Sequence, residues 1–106
     1  MNITIHSKGI ELLEEEKTYA KEKAETLLHR ANCADEKEDV SVKIEIDREK
    51  ASKDSKHQFF CSVTVNIPGK TLRAEHRSGG VYTAIDDAME SLRRQLKKEK
   101  EKHVHL

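Results

Sequence analysis

The sequence contains no tryptophan, and its aromatic side chains are limited to two phenylalanines and two tyrosines. The core must therefore consist mainly of isoleucine, valine, leucine and alanine, and a chain of 106 residues supports one modest core without a separate catalytic lobe. No apolar run approaches the roughly 20 residues that a membrane-spanning helix requires, and the N-terminus lacks the basic-then-apolar order of a signal peptide. We therefore expect one thin, two-layer domain over residues 1–106, located in the cytoplasm and independent of membranes.

Cysteine and clustered catalytic residues are also scarce. Cys33 and Cys61 are the two cysteines, and in a reducing cytoplasm free thiols are favoured over a disulfide. His29 and Cys33 share a helix face, but no second pair of ligands closes a metal site around them. Asp86 and Asp87 point roughly 100° apart on a helix and cannot act as a carboxylate pair on one substrate. The sequence thus predicts no enzyme, no metal, no cofactor and no small-molecule substrate.

Neither sign of charge is in excess, because 20 basic residues are balanced by 20 acidic ones. A neutral chain is a poor candidate for indiscriminate nucleic-acid binding, although it can still carry a local cationic patch. The charges are unevenly distributed: residues 91–102 hold six basic and two acidic side chains, net +4, whereas residues 11–26 hold three basic and six acidic ones, net −3. We expect any electrostatic partner to contact one part of the surface.

Regular hydrophobic periods define the elements. Apolar and polar residues alternate with a period of two, the pattern of strands that bury one face, in four segments: 1–6, 40–47, 59–67 and 70–77. A first helix is predicted over residues 13–31. The residues on its core side are mostly small: Ala20, Ala24, Leu27 and Ala31. Segments 32–39 and 48–57 are polar and aperiodic, which predicts loops.

The last third of the chain predicts one long amphipathic helix over residues 78–102. Five apolar residues recur at spacings of four, three, four and four, which places them on one stripe: Val81, Ile85, Ala88, Leu92 and Leu96. Ser78 is the predicted N-cap of this helix. Before it, Pro68 and Gly69 predict a turn in which the glycine takes a positive φ.

The resulting order is β-α-β-β-β-α, an α+β two-layer sandwich in which two helices cover one face of a four-stranded sheet. A right-handed crossover through the first helix joins two parallel strands, and antiparallel hairpins add the other two. We expect the opposite face of the sheet to be open to solvent or to a partner. Its outward residues would be Lys43, Glu45, Ser62, Thr64, Arg73 and Glu75. From about residue 100 onward we expect a flexible tail.

The second half of the long helix is strongly basic. It carries five cations within about two turns: Arg93, Arg94, Lys97, Lys98 and Lys100. One interpretation is an ordinary solvated face, because late bases suit the helix dipole and a pair such as Glu90 with Arg94 adds about 0.3 kcal/mol. The other is a phosphate-binding footprint. The charge pattern alone favours the solvated face.

Two segments of this helix resemble the paired motifs of a known family. Residues 81–86 are similar to the last six positions of Asp-Met-Tyr-x-Ala-Ile-Asp, and residues 92–98 to Leu-x-Arg-Gln-Leu-x-Lys, of the ribosome hibernation promoting factor family. That family includes ribosome-associated inhibitor A and was formerly called sigma-54 modulation protein. The matching residues are Tyr82, Ala84, Ile85, Asp86, Leu92, Arg94, Gln95, Leu96 and Lys98. The chain resembles the short form, without the dimerisation domain of long members.

The resemblance implies a fold similar to a double-stranded RNA-binding domain and a role in silencing idle ribosomes under stress or in stationary phase. The implied partner is the small ribosomal subunit, whose ribosomal RNA would be bound in the channel for messenger and transfer RNA. The free protein is expected to be a monomer. The sequence departs from the family pattern at Gly80, Val81, Leu13 and Thr26, and its first helix is unusually acidic.

The candidate RNA contacts come from two sources. The resemblance implies Lys23, Arg77, Arg94 and Lys98. The helical face, rather than the motif, adds Arg93, Lys97 and Lys100. Tyr82 and Ile85 are assigned to the core. Divergent directions for Arg94 and Lys98, or neutralisation of both by carboxylates, would count against this site.

The main alternative is a binding module of the same fold that is not directed at RNA. It would hold a protein partner through its open sheet face or its acidic first helix. Binding to phosphates weakens steeply as salt rises, whereas a protein interface of mixed charge weakens much less. Salt dependence therefore separates the two functions.

Overall fold

The computed structural model describes residues 1–31, 40–49 and 57–104, with side chains as far as residue 99 in the last helix. Its elements are β1 (Asn2–Lys8), α1 (Glu14–Arg30), β2 (Ser41–Arg48), β3 (Phe59–Ile67), β4 (Lys70–Ser78) and α2 (Val81–Val104). The predicted β-α-β-β-β-α order is confirmed. The loop predicted at 32–39, most of the loop predicted at 48–57, and Cys33 lie outside the described residues.

The four strands form one mixed sheet in the order β1-β2-β3-β4. β1 and β2 are parallel, with Ile5 opposite Ile44, and the later pairs are antiparallel, with Ile44 opposite Val63 and Val63 opposite Ala74. Parallel neighbours cannot be joined by a tight turn, so α1 must cross over one face of the sheet. α2 returns over β3 and β4 on that same face, and one apolar layer is sealed between the sheet and both helices.

Small residues let α1 lie close to the sheet. Ala20, Ala24 and Leu28 are fully buried, whereas Leu27 and Ala31 are only partly buried at the edge of the core. The predicted core positions of α1 are therefore confirmed for Ala20 and Ala24 and wrong for Leu27 and Ala31. The buried stripe advances by four residues each time and reaches Leu28, which leaves Leu27 facing the space between the helices.

α2 buries the predicted stripe in full, and Ala84 and Met89 widen it. The helix begins later than expected, however, and the prediction that Ser78 caps it is wrong. Ser78 is the last residue of β4, paired with Phe59. The Gly80 carbonyl accepts the first helical hydrogen bond, from the Ala84 N–H at 3.0 Å. Ser78 therefore belongs to the sheet, and the helix starts after a bend at residues 79–80.

Two glycines take backbone conformations that other residues rarely adopt. Gly69 has a φ of 78°, which confirms the predicted turn after Pro68. Gly9, with a φ of 74°, also lies against β2: a Cβ atom there would be 2.3 Å from the Arg48 carbonyl oxygen. The chain can leave β1 along this path because residue 9 has no side chain. Among the described residues, no helix is both long enough and apolar enough to cross a bilayer.

Replacing Ala24 by leucine should destabilise the fold, because Ala24 is fully buried between α1 and the sheet. Overpacking at such a site costs about 1–3 kcal/mol of unfolding free energy, measurable by urea denaturation. Glu25→Leu is the matched control, since the neighbouring position is exposed and the change should stay within about 0.5 kcal/mol. Equal stabilities for the two variants would contradict close packing of α1.

Cys61 should react with alkylating reagents only when the protein unfolds. Its side chain is fully buried, and burial, with a smaller effect from Asp47, raises the pKa of the thiol to about 12. Only the thiolate is nucleophilic. In a Cys33→Ser variant, iodoacetamide labelling should be negligible at neutral pH and should rise with the urea unfolding transition. Labelling of the native protein at the rate of the unfolded chain would show that the site is open.

Candidate nucleic-acid interface

A groove runs between α1 and α2, with a cavity volume of about 720 Å³. Its apolar floor is formed by Leu27, Met89 and Leu96. Its basic wall residues are Lys23, Arg30, Arg93 and Lys97. Carboxylates are interspersed with them: Glu22, Asp86 and Glu90. The groove is therefore cationic in part and not uniformly positive.

Four of the five predicted cations of α2 fall into two pairs. Arg93 and Lys97 line the groove toward α1. Arg94 and Lys98 are each turned by about 100° from them around the helix, and lie within about 40° of one another. All four side chains are exposed. Arg94 and Lys98 thus share a face, as the RNA-binding hypothesis requires, and Arg93 and Lys97 extend that face into the groove.

Glu90 is the main carboxylate beside this surface. It accepts hydrogen bonds from the Arg93 guanidinium at 2.9 and 2.7 Å, and its oxygen lies 3.7 Å from the Arg94 Nε. The hydrogen bond from Arg93, and the positive charges of Arg93 and Arg94, lower the pKa of Glu90. Exposed pairs of this kind are weak and are screened by salt. Arg94, which is 69% exposed, is accompanied by Glu90 but not enclosed by it.

Of the cations on this surface, three have no carboxylate partner among the described residues: Arg30, Lys97 and Lys98. Arg30 was not among the predicted contacts. It lies seven residues after Lys23, which places both on one face of α1, and this spacing is the signal that could have identified it. Lys100 lies in α2, but its side chain is outside the described part of the chain.

Lys23 is tied to α2 through Asp86. Its Nζ lies 3.6 Å from the Asp86 carboxylate and 5.4 Å from the centre of the Tyr19 ring. The Tyr19 hydroxyl donates a hydrogen bond to the same carboxylate. That hydrogen bond, followed by desolvation and the negative charge of Asp86, raises the pKa of Tyr19. One acidic side chain thus links the two walls of the groove.

Arg77 is placed apart from the other predicted contacts. It is paired across the sheet with Phe60, on the face opposite the helices, and its guanidinium lies 5.0 Å from the centre of the Phe60 ring. Glu49 forms an ion pair with it, and the hydrogen bond to Glu49 raises the pKa of Arg77. Arg77 does not join Arg94 and Lys98 in one flat surface.

The open face of the sheet has mixed charge. Five of its six predicted residues are exposed or partly exposed, but Ser62 is 3% exposed. It is a small residue on a central strand between Glu45 and Glu75, and its neighbours cover it. Burial and the adjacent Glu45 raise the pKa of Asp47. This face offers no concentration of cations.

Tyr82 corrects another expectation. Ile85 is fully buried, as predicted, but Tyr82 is 43% exposed and does not belong to the core. Its ring centre lies 4.9 Å from that of Tyr19, with the two planes at 83°. The motif tyrosine therefore lies at the surface, beside the groove.

The sequence matches a family model described as sigma 54 modulation protein / S30EA ribosomal protein over residues 3–104. The chain belongs to this family. Membership confirms the resemblance drawn from the two motifs of α2, and makes the protein a ribosome-associated one rather than a member of an enzyme family. Among the described residues, no group of three or more histidine, cysteine or acidic side chains is arranged to hold a metal ion.

Two solved structures have the fold of this family member. A ribosomal subunit interface protein from Coxiella burnetii is 22% identical, with a TM-score of 0.71 over 94% of this chain and 98% of that one. The N-terminal domain of Protein Y from Thermus thermophilus is 23% identical, with a TM-score of 0.71 over 92% and 98%. At these identities the similarity establishes the architecture.

The link through Asp86 predicts an elevated phenol pKa. In a Tyr82→Phe variant, Tyr19 should ionise above its ordinary pKa of 10.0, as followed by phenolate absorbance. Adding Asp86→Asn should bring the midpoint down, because the hydrogen bond to a charged acceptor is removed. A raised pKa means that the link stabilises the fold below about pH 10 and is lost as the pH rises through the elevated value. The same midpoint in both variants would show that the link is absent in solution.

Proposed function

We propose that this protein is a ribosome hibernation factor. It binds ribosomal RNA of the small subunit in the channel for messenger and transfer RNA, and so inhibits translation under stress or in stationary phase. It acts in the cytoplasm as a stoichiometric ligand of the ribosome, without a cofactor and without making or breaking a bond. The observation that carries the proposal is the cationic surface of α1 and α2 in a member of this ribosomal family.

This surface suits an RNA backbone. Arg94 and Lys98 point the same way on α2, Arg93 and Lys97 continue the surface into the groove, and Arg30 meets it from α1. Guanidinium and ammonium groups bind phosphates strongly and without regard to base sequence. Selectivity for the ribosome must therefore come from the shape of the cavity that receives the protein, as is usual for structured RNA.

Inhibition follows from the bulk of the protein. The chain measures 48 × 25 × 19 Å, and its two layers are joined by a continuous apolar core that resists deformation. A rigid body of this size, held by phosphate contacts along one side, fills space that another RNA would need. Occlusion requires positioning alone, which agrees with a cationic surface in place of a catalytic one.

Reversing two charges should abolish binding. Arg94→Glu combined with Lys98→Glu should leave folding unchanged, since both side chains are exposed, and should eliminate co-sedimentation with small subunits in a sucrose gradient. The matched control is Lys43→Glu with Arg73→Glu, an equal charge change on the open sheet face, which should sediment like the wild type. Circular dichroism checks that both variants fold.

The same pair of variants tests the alternative of a protein-binding adaptor. Retained sedimentation of the α2 variant would refute the RNA site, and loss of binding in the sheet-face variant alone would favour the adaptor. Binding of the wild type should also weaken steeply with salt, with a log-log slope of about one unit per phosphate contact. A shallow slope would contradict a phosphate-based interface.

A further inference from the structure

Exposure of Tyr82 calls for an explanation, because aromatic side chains are rare in this protein and usually build cores. Two phenylalanines and two tyrosines are its entire supply. Among the described residues, only Leu13 and Tyr82 are large hydrophobic side chains that are strongly exposed. Neighbouring positions Val81 and Ile85 are buried, so the helix has an apolar face available and Tyr82 lies outside it.

The ring of Tyr82 has a fixed neighbour on one side. Tyr19 contacts it in an edge-to-face arrangement, with the centres 4.9 Å apart. Tyr19 is itself held by its hydrogen bond to Asp86 and by Lys23 beside its ring. The hydroxyl of Tyr82, in contrast, makes no hydrogen bond within the described part of the chain. A ring supported in this way loses little conformational freedom when something stacks on it.

Tyr82 also lies in line with the groove cations. Arg93 follows it by eleven residues, which places the two within about 20° on the helix and roughly 16 Å apart along its axis. Asp86, Met89 and Lys97 line the groove on the same stripe. Lys23 stands across from Tyr82, within reach of the same tyrosine pair. An RNA strand that follows the cations along α2 would therefore pass over the ring.

We propose that Tyr82, backed by Tyr19, is a stacking site for an unpaired nucleobase of the bound RNA. This inference rests on the proposed function and adds to it a contact with a base, whereas the cations contact phosphates. An aromatic ring beside a row of cations is the combination that proteins use for single-stranded RNA, since every base has a face that can stack. The ligand is a single-stranded segment, and paired bases are excluded because their faces are covered.

The test uses short polyadenosine RNA, either single-stranded or annealed to polyuridine, and the full chain. Tyr82→Leu should weaken binding to the single strand by roughly tenfold, the range expected for one stacked base, while binding to the duplex is unchanged. Tyr82→Phe should bind like the wild type, because it keeps the ring. The salt slope should be the same in all three proteins, since stacking releases no counterions.

A spectroscopic signal reports the ring directly. In a Tyr19→Phe variant, Tyr82 is the remaining tyrosine, and its fluorescence should be quenched by the single strand and not by the duplex. Unquenched fluorescence, or Tyr82→Leu binding like the wild type, would overturn the stacking site. If Tyr82→Leu weakened binding to both RNAs equally, the stacking site would also be overturned. The same holds if Tyr82→Leu lost ribosome binding but kept both RNA affinities, which would identify a contact with a ribosomal protein.

The outcomes separate this inference from the proposed function. If the wild type sediments with small subunits and Arg94→Glu with Lys98→Glu does not, the proposed function stands whatever Tyr82 does. If the wild type binds neither the subunit nor either RNA, both proposals fail together. If Arg94→Glu with Lys98→Glu loses subunit binding and Tyr82→Leu binds single-stranded RNA like the wild type, the stacking site alone is refuted.

Discussion

The parallel pairing of β1 with β2 is the constraint on which the rest of the structure depends. Because parallel neighbours need a crossover, α1 must lie on the sheet, and it lies on the same face as α2. The small side chains of Ala20 and Ala24 let it pack closely there. Two helices side by side leave a groove between them, and the groove gathers charges that are far apart in the sequence, such as Lys23 and Arg93.

The surface of the groove carries carboxylates as well as cations. The chain has no net charge, and Glu90 and Asp86 lie beside the groove cations. All of these groups are at least partly exposed, so water and salt screen their mutual attraction. A polyanion with many closely spaced phosphates competes well against such isolated carboxylates. The combination favours a partner of high charge density over a weakly charged one.

Much of the fold could be predicted because its signals are periodic. Alternation in β2 and the stripe of α2 each repeat often enough to outweigh single exceptions. Choices between neighbouring residues could not be made this way: Leu27 and Leu28 both suit a helix, and only packing on the sheet selects Leu28. The predictions for Tyr82 and Ser78 were wrong for similar reasons. The phase of α2 exposes Tyr82, and pairing with Phe59 keeps Ser78 in β4. The position of Arg77 on the open face could have been predicted. Side chains alternate between the two faces of a strand, so Arg77 lies on the same face of β4 as Arg73 and Glu75.

The carboxylate of Glu90 has a kinetic consequence under the proposed function. When RNA arrives, Arg93 and Arg94 exchange one anionic partner for another, and when RNA leaves, Glu90 is still within reach of both. When RNA dissociates, Arg93 and Arg94 therefore regain an anionic partner within the protein, and this lowers the barrier to dissociation. Under the proposed function, Glu90 thus acts as an internal competitor that helps the protein to leave the ribosome.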